Sequence, residues 1–185
     1  MSHSPRAALF LDRDGVINVD RAYVHRIEEF VWIPGVFDTV RAAARLGLAV
    51  IVVTNQAGIA RGHYSEQDFR SLTDWMQARF TAAGAPLTAV YYCPCHPDGL
   101  PPYNTISPMR KPEPGMLLQA AREHALELPR SVLIGDQESD IAAGRAAGLL
   151  RTALFAPSGP RPTQADAVLA SHAEACRWLD GALNG

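Results

Sequence analysis

Five short stretches of the chain are almost unbroken in apolar character: Ala7–Leu11, Leu48–Val53, Ala89–Tyr92, Val132–Ile134 and Thr152–Phe155. Runs of this length without polar alternation mark strands covered on both faces, as in a parallel sheet. Between them lie segments with helical spacing and clear end signals. Val36–Leu46 follows Pro34-Gly35 and stops at Gly47, while Ser65–Ala83 opens with Ser65 and Asp68 at capping-box spacing and stops at Gly84. Within the second, Phe69, Leu72, Trp75, Met76 and Phe80 form a helical stripe that is expected to face the core and carry no chemistry. Further helices are expected from Pro114 to about Leu126, over Ser139–Ala147 and over Ala173–Leu183. Strand and helix alternate throughout. This predicts an α/β fold with a doubly wound, mostly parallel sheet, whose ligands bind beyond the carboxyl ends of the strands.

Composition narrows the picture. The 185 residues are 48% apolar and 19% charged, enough for one packed domain over residues 1–185. Seventeen Lys and Arg against nineteen Asp and Glu give a net charge of −2, so there is no basic surplus for nucleic acid or an anionic membrane. No apolar stretch approaches the roughly 20 residues that cross a bilayer. The segment Met1–Ala8 leads into an apolar run too short for a secretion signal, so a cytoplasmic protein is expected, and a monomer. Three cysteines, two of them only two positions apart, do not make a disulfide framework. The stretch Cys93–Pro114 holds seven prolines without strand or helix periodicity, which marks a stiff, functional loop.

Polar clusters interrupt the pattern where the runs end. They are Asp12-Arg13-Asp14-Gly15, Thr54-Asn55-Gln56, and Gly135-Asp136 with Asp140; Lys111 precedes the third expected helix. Taken singly, each has a plainer reading as a turn, a loop start, a helix cap or a surface lysine. Together, at one edge of a parallel sheet, they converge on one cleft. Clustered carboxylates need a cation among them, and an all-oxygen donor set favours Mg²⁺. Such a set suits phosphoryl transfer. Asp12 is the expected nucleophile and Asp14 the general acid and base; Thr54 and Lys111 would contact the transferring phosphoryl. Asp12, Asp136 and the main-chain carbonyl of Asp14 would hold the metal.

The segments Phe10–Asn18, Val52–Gly62, Arg110-Lys111-Pro112 and Gly135-Asp136 resemble the four motifs of the haloacid dehalogenase superfamily. Tyr23-Val24-His25, Tyr91-Tyr92-Cys93-Pro94 and the run from Lys111 to Leu117 resemble more closely its heptose bisphosphate phosphatases, relatives of the histidinol-phosphate phosphatases. The resemblance runs from about Leu9 to Phe155. It implies an Mg²⁺-dependent phosphatase that forms an aspartyl-phosphate and acts on a small phosphorylated sugar, with the same roles for Asp12, Asp14, Thr54, Lys111 and Asp136. It also implies a structural Zn²⁺ in the long loop, held by a Cys-x-His and a later Cys-x-Cys. This chain departs there: Cys93, Cys95 and His96 remain, but the second half reads Ser107-Pro108-Met109. Ser and Met are poor zinc ligands, so zinc is not expected. Gln137 also stands where a lysine commonly follows the metal aspartate.

The interval from Asp14 to Thr54 leaves too little chain for a cap domain. Specificity must then come from loops around an open cleft. The candidates for substrate contact are Arg13, Asp20, Arg21, Tyr23, Asn55, Gln56, Arg61 and Arg110, with His25 and His63 nearby. Arginine forks suit a second phosphate and sugar hydroxyls. Two competing classes fit less well. A phosphorylated receiver module would carry its lysine after the acceptor aspartate, and a glycosyltransferase using Asp-x-Asp would leave Thr54 and Lys111 without roles. Histidinol phosphate is the alternative substrate.

Overall fold

The structure is a computed structural model that describes residues 6–182. The first residues of the Met1–Ala8 segment and the end of the expected Ala173–Leu183 helix lie outside them. Six strands form one sheet in the order β3-β2-β1-β4-β5-β6, with β1 Ala8–Leu11, β2 Ala49–Asn55, β3 Ala89–Cys93, β4 Val132–Gly135, β5 Arg151–Phe155 and β6 Ala167–Leu169. Every neighbouring pair is parallel. The helices are α1 Val36–Arg45, α2 Ala57–Ala60, α3 Glu66–Ala82, α4 Gly115–His124, α5 Glu138–Ala146 and α6 His172–Ala182.

Side chains leave a strand on alternate faces, so each central strand feeds two cores. Leu9, Leu11, Val50 and Val52 pack with Val36 and Val40 of α1, Leu72, Met76 and Phe80 of α3 and Leu179 of α6. Ala8, Phe10, Ile51 and Val53 pack on the other face with Met116 and Leu117 of α4 and Ile141 of α5. The stripe expected on α3 faces the core: Phe69, Leu72, Met76 and Phe80 are buried, and Trp75 packs at the rim.

Three expectations need correction. β2 runs on through Thr54 and Asn55, which pair with Tyr92 and Cys93, so these polar residues belong to the strand rather than to the loop after it. Polar side chains end an apolar run without ending the backbone ladder. β3 is an edge strand, half-buried from Ala89 to Tyr92 and not covered on both faces. The third helix begins and ends inside its expected Pro114–Leu126 span, with Ala125 in the left-handed region. β6 and the single turn α2 carry no pattern long enough to read.

The segment between β1 and α1 is long and irregular, with one 3-10 turn at Ile27–Glu29. An aromatic cluster pins it down: Trp32 lies 4.7 Å from Phe30, 4.7 Å from Phe37 and 5.4 Å from Phe80 between ring centres.

Candidate active site

Asp12 follows β1 directly, and its amide continues the ladder by donating to Ile134 O at 3.1 Å. Two close approaches then bring the edge together. Gly15 has φ +84°, and a Cβ there would lie 2.4 Å from Asp136 Oδ2. At the end of β4, a Cβ on Gly135 would lie 2.2 Å from the Asp140 Cβ. Only glycine permits either contact. As a result, Asp12, Asp136 and Asp140 each offer a carboxylate oxygen within 4.8 Å of the others.

Lys111 enters this cluster from the long loop. Its Nζ donates to Asp140 Oδ1 at 2.5 Å, Asp12 Oδ1 at 3.0 Å and Val53 O at 2.8 Å. Its backbone is fixed separately: Asn55 Nδ2 donates to Lys111 O at 2.9 Å, and the Lys111 amide donates to Asn55 Oδ1 at 3.0 Å. Asn55 therefore holds the lysine backbone while it lines the cleft. Burial alone would lower the Lys111 pKa, but Asp12 and Asp140 outweigh it and keep the ammonium charged. Burial, helped by Asp140, Asp136 and Asp14 and opposed by Lys111, pushes the Asp12 carboxyl well above the usual range. Burial and Asp140 push Asp136 up to about 6. One ammonium is too little charge for three carboxylates, and hard oxygen donors at this spacing fit a divalent cation such as Mg²⁺. Both Asp140 oxygens are engaged, Oδ1 by Lys111 and Oδ2 by the Gln137 amide at 2.9 Å. Asp12 and Asp136 are left as the side chains that could hold the ion.

Asp14 lines the same cleft, held by a separate set of partners. Its carboxylate accepts from Arg13 Nε and Nη2 at 2.8–3.1 Å, from Asn18 Nδ2 at 3.0 Å and from Gln56 Nε2 at 3.2 Å. Gln56 Nε2 also donates to Thr54 Oγ1 at 2.8 Å, while its Oε1 accepts from the Tyr64 hydroxyl. Arg13 is only 1% exposed, and its Nη2 is also bound to Val24 O at 2.8 Å, so it props Asp14 instead of meeting a substrate. Gln56 is buried in the same way.

Of the remaining candidates, Asp20 lies on the cleft itself and the others lie elsewhere. Asp20 lines that cleft with Asn55, Gln137 and Ser139. Arg21 and Tyr23 line a neighbouring cavity of about 370 Å³ with His25, Glu29 and His63. Arg61 Nη1 donates to the Tyr23 hydroxyl at 2.7 Å. Arg110 is half-buried and donates from Nη1 to Cys95 O at 3.2 Å. Asp140 follows the strand-end motif without a role that the sequence assigns, and its pairing with Lys111 depends on a contact between α5 and the loop that no local pattern encodes. Asn18 and Tyr64, which support Asp14 and Gln56, gave no signal either.

The family described as HAD-hydrolase-like matches residues 108–174. The D-glycero-alpha-D-manno-heptose-1,7-bisphosphate 7-phosphatase of Burkholderia mallei is 54% identical over 149 residues, 80% of this chain and 79% of that protein. The D-glycero-beta-D-manno-heptose-1,7-bisphosphate 7-phosphatase of Escherichia coli is 41% identical over 160 residues, 86% of this chain and 84% of that protein. The chain belongs to the haloacid dehalogenase superfamily of phosphatases. Among solved structures, a D,D-heptose 1,7-bisphosphate phosphatase from B. bronchiseptica, complexed with magnesium and phosphate, superposes with a TM-score of 0.81 at 27% identity, covering 95% of this chain and 98% of that one. A HAD-like phosphatase from Mesorhizobium loti reaches a TM-score of 0.88 at 36% identity, covering 98% and 88%. For a phosphatase of this fold, the carboxyl edge of β1, β2 and β4 is where ester hydrolysis belongs, and that edge carries the Asp12 cluster.

Proposed function

We propose that this phosphatase is an Mg²⁺-dependent phosphomonoesterase that removes the 7-phosphate of D-glycero-D-manno-heptose 1,7-bisphosphate through an aspartyl-phosphate on Asp12. One observation carries the reading: the Asp12 carboxylate lines the cleft, bonded to the Lys111 ammonium and within metal reach of Asp136. The names and coverage of the relatives support the substrate.

Asp12 attacks phosphorus in line and the sugar oxygen leaves with a proton from Asp14. The same Asp14 then deprotonates the water that attacks the aspartyl-phosphate, so two carboxyls serve because one is consumed covalently. The Lys111 ammonium and the Thr54 hydroxyl bind the non-bridging oxygens, where charge is spread in the transition state. Asp12, Asp136 and the carbonyl of Asp14 would hold the Mg²⁺, which would supply positive charge that one lysine cannot. Arg110, with Arg21, Tyr23 and Arg61, contacts the sugar and its second phosphate. The protein is read as a cytoplasmic monomer; no helix among the described residues is long and apolar enough to cross a membrane.

The test compares initial rates on both anomers of the heptose bisphosphate, on histidinol phosphate and on fructose 1,6-bisphosphate at one Mg²⁺ concentration. A heptose bisphosphate is expected to give the highest kcat/KM, and EDTA is expected to abolish turnover until Mg²⁺ is restored. Preference for histidinol phosphate would overturn the substrate, and activity indifferent to chelation would overturn the metal.

A further inference from the structure

The long loop leaves the sheet at Cys93 and returns at Lys111, and its outer arm is tied to α3 by one carboxylate. Glu66 opens that helix after the Ser65 cap, where the helix end favours an anion. Its Oε1 accepts from the Tyr103 hydroxyl at 2.8 Å, and its Oε2 accepts from the Tyr92 hydroxyl at 2.7 Å and from Arg70 Nη2 at 2.6 Å. These donors come from the loop, from β3 and from α3. The Tyr92 ring is braced by Phe69 at 4.3 Å, and the arm closes on itself through His96 N to Tyr103 O at 3.1 Å and Tyr103 N to Leu100 O at 2.9 Å. The Leu100 amide also donates to Ala60 O at 2.6 Å.

The zinc ligands that the family resemblance implies do not fit here. Cys93 is buried in the core between the sheet and α4, and His96 Nδ1 accepts the Asp98 amide at 3.1 Å. The Ser107 hydroxyl accepts the Met109 amide at 3.2 Å. Among the described residues, Asp12, Asp136 and Asp140 form the sole group of three such side chains within metal reach.

We propose that Glu66, gripped by the Tyr92 and Tyr103 hydroxyls, is a positioning residue that sets the outer arm of the loop, and Arg110 with it, doing without metal what a bound zinc would do. The inference rests on the proposed function only in taking Arg110 as a substrate contact. Arg110 is bonded to the arm itself, at Cys95 O, whereas the Lys111 backbone is held independently by Asn55. Loosening the clamp should therefore disturb recognition and spare phosphoryl transfer.

Two variants test this, E66Q, which removes the charge, and Y103F, which removes one hydroxyl and little else. Each is expected to raise KM for the heptose bisphosphate by about tenfold, the scale of one lost hydrogen bond to a charged group, and to leave kcat on p-nitrophenyl phosphate unchanged. Amide hydrogen exchange should speed up over residues 94–109. In R110A the added Y103F change should raise KM no further, because the clamp acts through Arg110. Additive effects, equal losses on both esters, or unchanged exchange would overturn the proposal, as would one equivalent of zinc in the purified wild-type protein. If the heptose ester is not a substrate, hydrogen exchange and zinc content still decide the clamp.

Discussion

Lys111 brings a single ammonium into a place where burial opposes any charge, and it remains charged because two carboxylates face it. Replacing it with Met keeps the volume and removes the charge. Asp12 and Asp140 would then lie buried without the cation that faces them, at a cost of about 3–5 kcal/mol. Lys111→Met should lower the melting temperature, and adding Mg²⁺ should recover part of the loss; calorimetry with and without the ion checks both. Its neighbours divide the chemistry differently. Asp12→Asn keeps the shape of the proposed nucleophile and should abolish turnover with the circular dichroism spectrum unchanged. Asp14→Asn should slow turnover by roughly 10²–10⁴-fold, since proton transfer is lost while attack by Asp12 survives. Rapid-quench measurement of phosphate release would show a wild-type rate if Asp14 had no such role. Residue types at strand ends were readable from the chain, as Asp12, Thr54 and Asp136 illustrate. What each side chain grips was not: Arg13 beside a nucleophile looks like a substrate contact, yet it is turned inward onto Asp14 by its bond to Val24 O.

The elements show the same division. α3 was legible because its start carries its own chemistry, with Ser65 Oγ accepting the Asp68 amide at 3.1 Å and Asp68 Oδ2 accepting the Ser65 amide at 2.8 Å. Ser65→Ala removes one half of that exchange and should cost about 1 kcal/mol, read as a shift in the urea midpoint at constant m value. The same change leaves Glu66 in place, so activity should be retained. The central strands were equally plain, since β1, β4 and the Ala49–Val53 part of β2 are buried on both faces and apolar throughout. β6 was not, because it is three residues long with Val168 exposed, and an edge strand needs neither length nor a continuous apolar run. α2 is one turn whose formation depends on the strand before it, a dependence that local sequence does not record.

At the scale of the molecule, α6 is fastened to the loop behind the cleft through His172. Its ring is buried, with Nε2 on Val16 O at 2.8 Å and Nδ1 on the Thr39 hydroxyl at 2.9 Å. A carbonyl can only accept, so Nε2 carries a proton, while burial disfavours a second proton on the ring. Burial holds its pKa below the ordinary 6.5, with the Val16 carbonyl and Asp38 opposing. The unfolded chain therefore binds more protons in this region, and stability falls as pH drops below about 6.5. Asp12 and Asp136 act with the opposite sign, because their raised values let the folded state take up protons as the pH falls. Comparing wild type with His172→Gln in saturating Mg²⁺ separates the two, and the variant should lose less stability between pH 7.5 and 5.5. The convergence of the site on one sheet edge could be read from the order of motifs, whereas the His172 fastening could not, since it joins Thr39 to a residue 133 positions later. That distance has a counterpart in time. β1 pairs with β4, and Ala8 N meets Ser131 Oγ across 123 residues. A ribosome adding about 5–20 residues each second needs on the order of ten seconds to make that interval. Until β4 emerges, the nascent chain carries the proposed nucleophile on a strand with one flank open, so the edge that gathers Asp12 and Asp136 cannot close before that strand is made.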